Sequence, residues 1–71
     1  MITHHPLDTF WHDPKTNTLV PTIGHTHEFT TKPARDHFAS QQKDVVGLTQ
    51  WDRLMHGKRK FWVTVHTPRK D

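Results

Sequence analysis

No stretch of this chain restricts its fold as strongly as Phe61-Trp62-Val63-Thr64-Val65-His66. Aromatic and β-branched side chains fill all but the last of these positions, and such residues favour a pleated, half-buried backbone. Successive strand side chains point to opposite faces, so Phe61, Val63 and Val65 share one side while Trp62, Thr64 and His66 share the other. Pro68, which has no N–H to give a ladder, ends the segment. A strand of this quality needs others to pair with.

Two further strands are expected at the other end of the chain. Thr9-Phe10-Trp11-His12 and Thr18-Leu19-Val20 flank Asp13-Pro14-Lys15-Thr16-Asn17, where proline presets φ and asparagine tolerates a left-handed conformation. Pro21 and Gly24 should interrupt any longer strand, leaving Ile23 to Phe29 as a short extended piece. From Pro33 onward Ala34, Phe38, Gln41 and Val45 recur at helical spacing, predicting a helix over 33–46 closed by Gly47. Thr49 with Asp52 three residues later is a variant capping box, predicting a second helix over 49–56 that carries Trp51, Leu54 and Met55 on its buried face and ends at Gly57. The expected architecture is α+β: a short antiparallel sheet built from an N-terminal hairpin and a C-terminal strand, with two helices.

The core of such a fold must be thin. Only 31% of the 71 residues are apolar and there is no cysteine, so neither disulfides nor thiolate metal sites are available. Seven rings, Phe10, Trp11, Phe29, Phe38, Trp51, Phe61 and Trp62, are the natural anchors, each removing about 150–250 Å² from water. The whole chain reads as one domain, 1–71, with 1–7 and 67–71 as flexible ends. Cysteine-free composition agrees with a reducing, cytoplasmic setting, and no apolar run approaches the ~20 residues of a membrane span.

Charge is distributed unevenly. Residues 1–46 hold four Lys/Arg against five Asp/Glu, whereas residues 47–71 hold six against two. The excess gathers at Lys58, Arg59, Lys60, Arg69 and Lys70, with Trp62 among them. Cations neutralise phosphates or acidic protein surfaces, and an indole on the strand face opposite the valines would be left toward solvent or a partner. These six residues are the expected contact set for nucleic acid or for a protein that handles nucleic acid. The two expected helices around Gly47 fit a DNA-binding helix pair poorly, because Lys43 would stand where a small buried residue is needed, and Arg53 and His56 where apolar contacts are needed.

Eight histidines suggest a second chemistry. In an extended segment His25 and His27 share a face, and His37 on the following helix could add a third zinc ligand, with His4, His5, His12 and Asp13 more remote. No cysteine pair and no HExxH helix supports such a site, so a histidine-based zinc domain is the alternative rather than the main reading. The chain also has no glycine-rich phosphate loop and no nucleophile elbow. The sequence therefore points to a small, non-enzymatic, regulatory or inhibitory binding protein that needs no cofactor.

Overall fold

The computed structural model describes residues 2–3 and 5–69, excluding the side chains of Ile2 and Thr3. Five strands and one helix follow in the order β1 (Ile2–Thr3), β2 (Leu7–Asp13), β3 (Thr18–Phe29), α1 (Lys32–Ser40), β4 (Gly47–Met55) and β5 (Lys58–Pro68). All pairings are antiparallel. β1 and β2 succeed one another along one edge of β3, β5 lies on its other edge, and β4 is outermost beyond β5. Because β3 and β4 both run antiparallel to β5, they run parallel to each other, and α1 joins them as the crossover of a split β–α–β unit.

This is a mostly-sheet molecule with one short helix, and it overturns the expectation of two helices over 33–46 and 49–56. The first helix begins as its signals require: the Thr31 side chain accepts a hydrogen bond from the Ala34 N–H, Pro33 stands in the first turn, and Lys32 pairs with Asp36 at 2.6 Å. It stops at Ser40, six residues before the expected end, because Gln41, Gln42, Lys43 and Asp44 offer nothing apolar to bury. The Gln42 side chain instead donates to the Phe38 carbonyl, and Asp44 turns the chain at φ 59°.

The second expected helix is strand β4. His56 and Gly57 adopt φ of 51° and 77°, the all-positive pattern of a two-residue hairpin turn whose twist matches that of its strands. The turn folds 47–55 back on β5 over nine paired positions, Gly47 opposite His66 through Met55 opposite Lys58. Local spacing favours a helix here, but pairing along β5 satisfies far more backbone than an isolated two-turn helix can.

A third correction concerns β3, which runs unbroken through Pro21 and Gly24 for 12 residues. The Pro21 carbonyl accepts from the Arg69 N–H at 3.4 Å, so this residue's backbone faces the end of β5, where pairing stops at Thr22 opposite Pro68. Its missing donor therefore falls beyond the ladder rather than inside it. Around Asp13–Asn17 the chain reverses as the turn residues dictate. Asn17 has φ 53°, its N–H reaches the Asp13 carbonyl at 2.8 Å, and the Asp13 carboxylate accepts from the Lys15 N–H. At the other end, Thr67 and Pro68 are part of β5, opposite Ile23 and Thr22.

The core lies between α1 and one face of the sheet. Phe29, Ala39 and Val63 form its centre, with Phe38, Leu48 and Phe61 packed around them. Arg35 fastens the helix: its buried guanidinium donates to the Trp51 carbonyl at 3.0 Å, bonds Asp36, and lies 5.5 Å from the Phe61 ring centre. No helix among the described residues is long and apolar enough to cross a membrane.

Candidate functional site

Strand phase assigns every side chain of the sheet to the helix-covered face or to the opposite, open face. Opposed residues share a face, so Trp51, Trp62 and Glu28 lie together on the open side, as do Thr49, Thr64 and Thr26 in the next row and Gly47, His66 and Gly24 beyond them. β2 adds Leu7, Thr9 and Trp11 from the far edge. The sheet curls strongly toward this side. A Cβ placed on Gly47 of β4 would collide with the indole of Trp11 from β2, although β3 and β5 lie between those strands.

Polar contacts and stacked rings replace a second helix here. Nδ1 of His66 is 3.3 Å from both the Thr9 and Thr22 hydroxyls, Nε2 is 3.0 Å from the Thr49 hydroxyl, and the Trp11 ring centre lies 5.1 Å from the imidazole. Hydroxyls rotate to donate or accept, so either neutral tautomer is satisfied. Burial pushes the His66 pKa below its usual value, since the surrounding hydroxyls and indole supply no counter-charge. The Thr26 and Thr64 hydroxyls meet at 2.8 Å. A hollow of about 270 Å³ opens on this face, lined by Leu7, Thr9, Gly24, Thr26, Thr49, Trp51, Thr64 and His66.

The residues expected from sequence to make contacts fall into distinct places. Trp62 is 9% exposed: it stacks on its cross-strand neighbour Trp51, with ring centres 5.9 Å apart, and its Nε1–H donates to Glu28 at 3.0 Å. The indole expected toward solvent is therefore covered, and Trp51 is the more accessible of the pair. Lys60 donates to the other oxygen of Glu28 at 3.3 Å. Arg59, on the helix side, pairs with Asp52. The Arg69 guanidinium donates to the Thr9 carbonyl at 2.7 Å and lies 5.1 Å from the Phe10 ring centre, so it ties the end of the chain to β2. Lys70 lies outside the described residues.

Lys58 and Lys60 do sit together with one cation that the sequence reading placed in a helix. Arg53 faces Lys60 across the hairpin, and Met55 faces Lys58. All four are on the open face by alternation, next to Trp51. Among the described residues Arg53 and Lys58 enter no ion pair. Nearby Leu54 and Met55 are exposed, which leaves the tip of the β4–β5 hairpin an unguarded mixture of cations and apolar side chains. Arg53 and Trp51 could have been found from sequence through His56-Gly57, a turn pair between two strand-length runs.

The histidines do not assemble. His25 and His27 share the helix-covered face, where His25 Nε2 is 3.3 Å from the Thr67 hydroxyl and the His27 ring packs 4.5 Å from that of Phe38. His37 is exposed on α1, and His4 lies outside the described residues. Among the described residues no three His, Asp or Glu side chains converge on a point that could hold a metal ion. No protein-family model, curated protein or solved structure matches this chain.

Proposed function

We propose that this chain is a small non-enzymatic binding protein of the cytoplasm that contacts nucleic acid through the tip of its β4–β5 hairpin, with a regulatory or inhibitory outcome. One observation carries the reading. Arg53 and Lys58, which enter no ion pair among the described residues, stand on one exposed face of the hairpin, while the acidic groups near them, Asp52 and Glu28, are engaged by Arg59, Lys60 and Trp62. Uncompensated cations on a twisted ribbon attract a phosphate backbone and release its counterions on binding. Absence of cysteine supports a reducing compartment.

Fluorescence anisotropy of a labelled oligonucleotide, titrated between 50 and 200 mM salt, tests this proposal. Two phosphate contacts on a single strand correspond to a log–log salt slope of about −1.4. Arg53→Glu combined with Lys58→Glu should weaken binding by about tenfold or more and flatten the slope. An affinity indifferent to salt, or unchanged by the double charge reversal, would remove the reading.

A further inference from the structure

The open face separates charge from a neutral hollow. Of the seven side chains lining the 270 Å³ hollow, none is charged: Leu7, Thr9, Thr26, Thr49, Trp51, Thr64 and His66 present a mostly apolar surface to it. The charged side chains near Trp51 on this face lie outside that lining: Glu28 with its partner Lys60, and Arg53 and Lys58, which enter no ion pair among the described residues. Arg53 follows Trp51 by two residues on the same strand face, which puts it one residue pair, about 7 Å, along the strand. A ligand fitting both features is flat and uncharged at one end and negatively charged at the other. The larger groove beside α1, about 430 Å³, lacks this division, because Lys32 and Arg35 there are both paired with Asp36.

We infer that the hollow receives one unstacked base of a single-stranded nucleic acid whose phosphates follow Arg53 and Lys58. This rests on the proposed function and makes it specific to single strands. Base-paired bases are stacked on both faces and cannot enter, whereas a splayed base exposes a π-face to Trp51. The Thr26 and Thr64 hydroxyls bond each other and that of Thr49 bonds His66, so the hollow holds a base by stacking and apolar contact, which more than one base can make. Its volume suits one heterocycle and falls below the ~300 Å³ at which ligand pockets usually begin. Charge complementarity commits the occupant: an apolar peptide would leave the cations without a partner, and a free neutral small molecule would leave them unused.

The test changes the ligand before it changes the protein. A labelled thymidine decamer and an abasic decamer with the same phosphates are compared by anisotropy at 50 mM salt. The base-bearing strand should bind about 10- to 100-fold more tightly, the range expected for stacking one base on an aromatic ring, with equal salt slopes for the two strands. Trp51→Leu, which leaves all cations in place, should bring the thymidine strand down to the affinity of the abasic one. Equal affinity of the two strands for the wild-type protein would overturn the base hollow while leaving the basic hairpin standing. Failure of both strands to bind would overturn both.

Discussion

The two faces of the sheet solve the same problem with different materials. On the covered side, α1 brings Ala39 and Phe38 onto Phe29, Phe61 and Val63, and burial of apolar surface does the work. On the open side no helix is available, and Thr9, Thr22 and Thr49 surround His66 while Trp11 crosses the curl to lie against Gly47. A chain with so few apolar residues can furnish one greasy face but not two. The second face gains its order from directional hydrogen bonds and ring stacking, and the hollow these leave is the price of that solution.

Three perturbations sharpen this contrast. The largest effect is expected on the covered side: Phe29→Ala removes a ring that is buried against Phe38 and Phe61, and should lower unfolding free energy by about 3–5 kcal/mol in urea titrations. A loss near zero would mean that the helix-side cluster does not hold the fold together. On the open side Gly47→Ala should cost about 1–3 kcal/mol, because its Cβ would displace the Trp11 indole. In a Trp11→Leu background the same change should cost clearly less, since the two sites act as one contact. Additive losses would show that the curl does not depend on this pair.

The smallest effect is set by pH. Folded His66 has a pKa below the unfolded value of 6.5, so between the two values the unfolded chain binds more protons. Stability from neutral His66 is therefore complete above about 6.5 and is lost as pH falls through the folded pKa. Replacing His66 with Gln should reduce the decline in urea midpoint between pH 7 and 5; a decline as steep as in the wild type would place its origin elsewhere. Asp36 does not confuse the reading. Its hydrogen bond from Lys32 lowers its pKa below 3.8, so its contribution is kept above that value and lost only in more acidic solution.

Some of this was legible in particular residues. The strand at Phe61–His66 and its alternation read directly, because β-branched and aromatic residues have few other good conformations. The Asp13–Asn17 reversal was likewise local, needing only turn chemistry. The 49–56 segment read as a helix because Thr49, Asp52, Leu54 and Met55 have respectable helical spacing, and nothing local reveals that β5 needs a partner on its outer edge. That error hid the candidate site. With β4 read as a helix, Arg53 and Trp51 could not be put beside Lys60 and Trp62, so Trp62 was expected to be exposed when its neighbour covers it.

By itself, then, the sequence determined the thin apolar supply, the cationic C-terminal third and the phase of the central strand, since these follow from composition and from a two-residue repeat. Only the tertiary structure decided which strands flank that centre, that Trp51 lies over Trp62, and that threonines from three strands enclose His66 in a curled sheet. The reason is that pairing partners are chosen by ladders and packing between residues as much as 60 positions apart, as Thr9 and Arg69 are, and no local preference encodes a contact over that separation.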